Sequence, residues 1–231
     1  MKKMYFCDNE EIEVYALAGD ELKNREGGGS IPDAIDGIAL NPVQTHSLNV
    51  AVVDEKTSTP IDDCDAYITF SQNLPIGVRT ADCVPIMIYA RDIKAVAAVH
   101  AGWKGTIGGI IDNVIKMLLD YGSERENIYI YFGPSISQKI YEVDADLAEK
   151  FIDAGFEKNI EINPITSKPH IDLEGVNIER VKSLGVPERN IYRSGCCTFE
   201  SKDFEGNYLF PSYRRDKGTD RRLLTAVKLK S

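Results

Sequence analysis

Two apolar runs stand almost back to back in this chain. They are "VPIMIYA" at 84–90 and "KAVAAVHA" at 94–101, with "RDIK" turning between them. A strand that shows one face to water alternates polar and apolar residues. These runs do not, so both of their faces need cover. A parallel crossover takes about a dozen residues, so the short turn predicts an antiparallel hairpin. The second run also ends on an imidazole, His100, followed by "AGWKG". An imidazole is an odd terminus for a buried strand and asks for a chemical reason.

The remaining segments place that hairpin in a mixed fold. "EIEVYALA" (11–18), "LNVAVVDE" (48–55) and "DAYITF" (65–70) read as strands. The glycine-rich "NREGGGSIPDAIDG" (24–37) reads as a loop. Ile107, Ile110, Ile111, Val114, Ile115, Leu118 and Leu119 fall on one helical face, with Thr106 to cap its start and Gly122 to end it. "IYIYFGPSI" (128–136) is a strand running into a turn. Residues 142–156 form a helix with acid in its first turns, and 172–187 form another that stops near Pro187. "NIYRSG" and "RRLLTAVKLK" close the chain as strands. The whole reads as an α/β fold with a mixed sheet. Residues 1–231 form one domain, without repeat, low-complexity segment or linker.

Charge and cysteine usage narrow the partners. The net charge of −9 repels phosphate backbones, so nucleic acid is not an expected partner. The apolar runs fall far short of the roughly 20 residues that a membrane helix needs. Five cysteines, Cys7, Cys64, Cys83, Cys196 and Cys197, are an odd and unevenly spaced set, not a disulfide framework. The N-terminus does not read as a signal peptide. Both features predict a cytoplasmic protein.

The chemistry gathers at strand ends. His46 lies in "NPVQTHS" before the strand at 48, and Cys83 lies in "RTADCVP" before the strand at 84. If 84–90 and 94–101 pair as a hairpin, Cys83 and His100 sit at the same end of it. A third strand beginning after His46 could bring that residue to the same rim. Two imidazoles and a thiolate suit zinc, and three protein ligands leave a position open for water or substrate. Copper could take the same ligands. A metal-free Cys83–His100 nucleophile pair uses these residues too, as does a bland arrangement of a buried thiol and hydrogen-bonded histidines. Asp82 could act as general acid or base, orient a ligand, or only shape the strand edge. Arg79, Lys104, Arg214 and Arg215 could hold a phosphate or another anion. Arg221 and Arg222 read as solvated surface. Trp103 stacks a planar ligand or packs in the core. "GCCTFE" reads as two free, mostly buried thiols. His170 has no evident partner.

"QTHS", "TADCVPIMI", "VHAGWKG", "FGPSI", "CCTFE" and "PSYRRDKGTDRRLLTAVKL" occur in that order from about residue 40 to the end. Together they resemble the YfiH/laccase-domain family, also called the polyphenol oxidase family. The resemblance implies a four-layer α-β-β-α sandwich in a single domain. It also implies a metal, usually zinc, on His46, Cys83 and His100. Its implied chemistry is phosphorolysis of adenosine, inosine, guanosine and methylthioadenosine, with deamination of adenosine. Purine nucleosides and phosphate are then the partners.

The family was first described as copper-dependent phenol oxidases. Laccase chemistry normally needs several coppers with many histidine ligands, and this chain has three histidines. One zinc with an open position instead suits hydrolytic deamination, because it lowers the pKa of a bound water. Phosphorolysis needs an anion site, for which Arg79, Arg214 and Arg215 are the candidates, and Asp82 is the candidate for proton transfer. The stretch between "NREGGGSI" and His46 is shorter than is usual in the family, which alters one wall of the expected pocket.

Overall fold

The computed structural model describes residues 2–23, 43–58 and 61–231. The expected glycine-rich loop at 24–37, and with it the shortened stretch before His46 up to residue 42, lies outside them. The chain runs β1 (Lys2–Asp8), β2 (Ile12–Lys23), β3 (Val50–Val52), β4 (Ala66–Thr69), β5 (Ile76–Thr80), β6 (Val84–Ala90) and β7 (Ala95–Ala101). Then come α1 (Trp103–Gly108), α2 (Ile110–Asp120), β8 (Ile128–Phe132), α3 (Ala145–Asp153), β9 (Ile160–Ile162) and β10 (Pro169–Ile171). The last elements are α4 (Leu173–Ser183), β11 (Ile191–Arg193) and β12 (Arg221–Leu229).

The two apolar runs are β6 and β7, and they form the antiparallel hairpin their spacing demands, with Val84 opposite Ala101 and Ala90 opposite Ala95. They lie at the centre of a six-stranded sheet ordered β11-β8-β6-β7-β4-β3. The sheet is mixed: β3–β4 and β8–β11 are parallel, the other pairs antiparallel. Strand alternation splits the hairpin's side chains between two cores. Ile86, Ile88, Ala97 and Val99 pack on the helix side with Ile111, Val114 and Leu118 of α2, Phe151 of α3 and Val176 of α4. Met87, Tyr89, Val96 and Ala98 face the other way. They meet Val14, Ile76, Val78 and Val227 of a second, four-stranded sheet ordered β1-β2-β12-β5.

Helices, six-stranded sheet and four-stranded sheet thus stack in layers, and the hairpin reads as continuously apolar because both its faces are interior. On the far face of the second sheet, Tyr15, Leu17, Leu224 and Ala226 are at most 2% exposed, so that face is covered as well. This is the mixed α/β sandwich expected from the family. No helix among the described residues is long and apolar enough to cross a membrane.

Several boundaries differ from the sequence reading. The helix expected from Thr106 begins at Trp103, capped by Gly102, and breaks at Gly109. Gly109 has φ +77°, a left-handed conformation that glycine adopts without penalty. Thr106 is therefore not a cap. It is buried inside α1, where its hydroxyl accepts a bond from Asn177 Nδ2 at 2.9 Å. β1, β5, β9 and β10 carry too weak an alternation to be read as strands. β5 ("IGVRT") contains Gly77, where a side chain would press to 2.8 Å on the Thr225 carbonyl of β12.

Candidate metal centre

His100 is delivered by strand periodicity. It lies on the same face of β7 as Val96 and Ala98, between the two sheets, but opposite Pro85 near the end of the hairpin. The imidazole is 4% exposed there. Cys83 precedes β6 at the same end. His46 arrives differently from the expected third strand. β3 pairs with β4, and β4 separates it from β7. A loop folds back instead, held at two points. The Gln44 side chain clasps β5, donating to the Arg79 carbonyl and accepting from the Arg79 amide, both at 2.8 Å. The Asp65 carboxylate accepts from the amides of Thr45 (3.1 Å), His46 (3.1 Å) and Ser47 (2.8 Å). His46 has φ +63° and Asp82, beside Cys83, has φ +86°. Left-handed backbone at non-glycine residues costs on the order of 1–3 kcal/mol and recurs at functional sites.

The result is convergent. One ligand atom each from His46, Cys83 and His100 lie within 4.8 Å of one another. His46 Nε2 stands 3.8 Å from Cys83 Sγ, and the two imidazole rings meet edge-on with centroids 4.8 Å apart. His100 Nδ1 is bonded to Asp65 Oδ1 at 2.6 Å, so its other nitrogen, Nε2, is the one left for the cluster. Gly102 lies beneath the ligands: a Cβ there would come within 2.5 Å of His46 Cδ2 and 3.1 Å of Cys83 Sγ. Two nitrogens and a sulfur around a floor kept clear of side chains are a donor set that fits zinc or copper. Burial pushes the Cys83 thiol up, but the neighbouring His100 and His46 outweigh it and hold the thiol down at about 6. Burial likewise lowers His100, while Cys83 and Asp65 raise it to about 9. Burial opposes the Asp65 charge, yet His100 and the Ser47 donors keep its carboxyl below the ordinary range.

The cluster opens onto a pocket of about 570 Å³ lined by Gln44, His46, Arg79, Thr80, Ala81, Asp82, Cys83, His100, Trp103, Ile136, Tyr141, Leu173, Tyr213, Arg214 and Arg222. Of the anion candidates, Arg79 and Arg214 reach it, and so does Arg222, which the sequence reading left on the surface. Burial lowers the pKa of Arg79 and of Arg222, and for Arg79 the charge of Arg222 adds to the effect. Arg215 does not line the pocket. Its guanidinium bonds the carbonyls of Thr198, Phe199 and Phe210 and both oxygens of Asp216, which uses all five of its donors. Lys104 is exposed on α1, with its ammonium 5.7 Å from the Trp103 ring centroid. Trp103 is half-buried against the helical core and also lines the pocket.

Asp82 is a node between loops. Its Oδ1 accepts from Thr198 Oγ1 at 2.6 Å, its Oδ2 from the Arg214 amide at 2.7 Å, and its carbonyl from the Ile136 amide at 3.0 Å. The "FGPSI", "CCTFE" and "SYRRD" segments therefore converge on the residue next to Cys83. Cys196 and Cys197 are free thiols, and the residue of that motif that reaches the site is Thr198. His170 lies elsewhere, its Nδ1 3.0 Å from the Gln138 carbonyl. Asp65 was missed as a site residue. The available signal was a carboxylate heading an otherwise apolar strand, "DAYITF".

Residues 34–230 match the family model described as multi-copper polyphenol oxidoreductase laccase. A protein named adenosine deaminase RL5, from an unknown prokaryotic organism, is 39% identical over 167 residues, which span 68% of this chain and 64% of that protein. A purine nucleoside phosphorylase of Bacteroides thetaiotaomicron is 32% identical over 189 residues, covering 77% of this chain and 68% of the relative. The fold is shared with the crystal structure of the Bacillus licheniformis hypothetical protein YfiH. That superposition has a TM-score of 0.81 at 22% identity, over 98% of this chain and 99% of the other. The convergent histidines and cysteine thus sit in a sandwich and a sequence of known kinship, and the chain belongs to the YfiH/laccase-domain family.

Proposed function

We propose that this chain is a metal-dependent purine nucleoside enzyme. In this reading it catalyses phosphorolysis of adenosine, inosine, guanosine and methylthioadenosine and the deamination of adenosine, with zinc on His46, Cys83 and His100. The observation that carries the reading is the juxtaposition of that triad with the half-buried Arg79 and Arg222 in one pocket. The names of the relatives, adenosine deaminase and purine nucleoside phosphorylase, agree with it. A zinc ion held there supplies Lewis acidity toward an oxygen in the pocket.

The chain's own residues do the rest. Arg79 and Arg222 present two partly desolvated guanidinium groups, an arrangement that favours an anion such as phosphate. Arg214, placed over the Tyr141 ring at 5.3 Å, adds a third positive charge. Trp103, Tyr141 and Tyr213 supply aromatic surface against which a planar base can stack. Asp82 holds the Cys83 and Arg214 loops in register. It is also the candidate for proton transfer: Thr198 and the Arg214 amide take one lone pair on each of its oxygens, and it lines the pocket. A laccase-like copper reaction is the weaker reading, since the third histidine of the chain, His170, lies away from the cluster and leaves two imidazoles for metal.

The test is incubation of zinc-loaded protein with adenosine, with and without phosphate. Adenine and ribose 1-phosphate in the first tube, or inosine in either, support the reading. No product in either, with zinc bound, refutes it.

A further inference from the structure

The metal reading leaves one buried group to be explained. Asp65, at the head of β4, is wholly removed from solvent. Burying a carboxylate costs several kcal/mol unless other groups bond and balance it. The bonds that its carboxylate and carbonyl accept lead to the two histidines of the cluster and to the residues flanking His46. Its Oδ1 accepts from His100 Nδ1 at 2.6 Å and from the His46 amide at 3.1 Å. Its Oδ2 accepts from the Thr45 amide at 3.1 Å and from the amide and hydroxyl of Ser47, both at 2.8 Å. Its carbonyl accepts from the His100 amide at 2.8 Å.

We infer that Asp65 is the positioning residue of the centre: one carboxylate shapes the loop that carries His46 and selects the nitrogen of His100 that meets the metal. The inference rests on the reading of His46, Cys83 and His100 as metal ligands.

Loop shape, tautomer and charge all point to this role. Amides of three successive residues can point at one carboxylate only if the backbone wraps around it, and the positive φ of His46 is part of that wrapping. Removing the acceptor removes the reason for the strained conformation, and the His46 ring loses its place beside His100.

A carboxylate only accepts, so the Nδ1 it meets must carry the proton, and Nε2 keeps its lone pair for a metal. An asparagine in the same place reverses this. Its amide nitrogen at the Oδ1 position would donate to Nδ1, moving the proton of a neutral ring to Nε2. Placed at the Oδ2 position, that nitrogen would face the Thr45 and Ser47 amides, donor against donor. Neither orientation preserves the native set.

A divalent ion on one thiolate and two neutral imidazoles keeps one positive charge. The Asp65 carboxylate, one imidazole behind it, supplies the single negative charge that balances it in the interior.

The test uses zinc as the probe. Protein labelled with 15N at histidine is loaded with zinc, and the His100 ring is read by NMR, while affinity is measured by chelator competition for wild type and Asp65→Asn. The expected spectrum has a protonated Nδ1 and a zinc-ligated Nε2, and the variant binds zinc about 10- to 100-fold more weakly. A wild-type His100 ligated through Nδ1 overturns the inference whether or not the variant folds. So does a folded Asp65→Asn with wild-type affinity and an unchanged Nδ1 proton. Wild-type protein that binds no zinc brings down the metal reading itself, a result distinct from either of these.

Discussion

Gly102→Ala adds one methyl group at the floor of the cluster and changes little else. The backbone there, φ −73° and ψ 179°, is open to any residue, so the substitution introduces no conformational strain. The added Cβ would stand 2.5 Å from His46 Cδ2 and 3.1 Å from both His46 Nε2 and Cys83 Sγ. Carbon atoms pack at about 3.5–4.0 Å, so the His46 ring must retreat by about 1 Å. Metal–ligand bonds hold to within about 0.2 Å of their preferred lengths. A displacement several times larger removes His46 from the ligand set or forces the ion off centre. Zinc affinity should fall at least tenfold, about 1.4 kcal/mol, while metal-free stability stays within about 1 kcal/mol of wild type. Chelator competition reads the first quantity and thermal unfolding of the metal-free protein the second. A variant that keeps wild-type zinc affinity with a wild-type unfolding profile would refute the argument that Gly102 is empty because the ligands occupy its space.

Other perturbations bear on separate parts of the account. In metal-free protein, the thiolate absorbance of Cys83 should appear with a midpoint near pH 6, since the adjacent imidazoles outweigh burial. A midpoint near 9 would contradict that electrostatic balance. At pH 7.5, between the Cys83 value of about 6 and the His100 value of about 9, the thiol is already ionised and the imidazole still protonated. Zinc binding should therefore release about one proton per site, measurable by calorimetry in buffers of different ionisation enthalpy; release of two would mean that Cys83 begins as a thiol. Arg222→Met should raise KM for phosphate at least tenfold with zinc content unchanged, and equal effects on reactions with and without phosphate would contradict its assignment to the anion. Phe151→Ala empties a fully buried site in α3 and should cost about 3–5 kcal/mol of stability by denaturant titration, leaving zinc content unchanged in the folded fraction.

The parts legible in the sequence were those in which one periodicity decides the geometry. Two unbroken apolar runs with a four-residue turn leave little choice but a hairpin covered on both faces, and that hairpin brings Cys83 and His100 to one end. His46 could be suspected by residue type but not placed, because the bonds that place it run from Asp65 and Arg79 to a loop with no periodic pattern. Asp65 heads a strand in the sequence, and only the fold shows that His100 and the 45–47 loop close around it. The arginines show a different limit. The register of β12 shifts between Arg221 and Leu223, so no alternation readable in the sequence announces that Arg222, and not the exposed Arg221, lines the pocket. Arg215 was plausible by chemistry, but carbonyls from residues 198, 199 and 210 consume its donors, and nothing local in the sequence announces them. Gly109 broke the expected helix because a left-handed residue suits the junction of α1 and α2, whereas the apolar spacing runs through it unchanged.

Zinc content per chain, measured after dialysis for wild type and Cys83→Ser side by side, tests the central claim most directly. The account predicts one zinc per wild-type chain and little or none in the variant, with both proteins folded. Substoichiometric zinc in zinc-supplemented wild type, or equal zinc in the two, would contradict it.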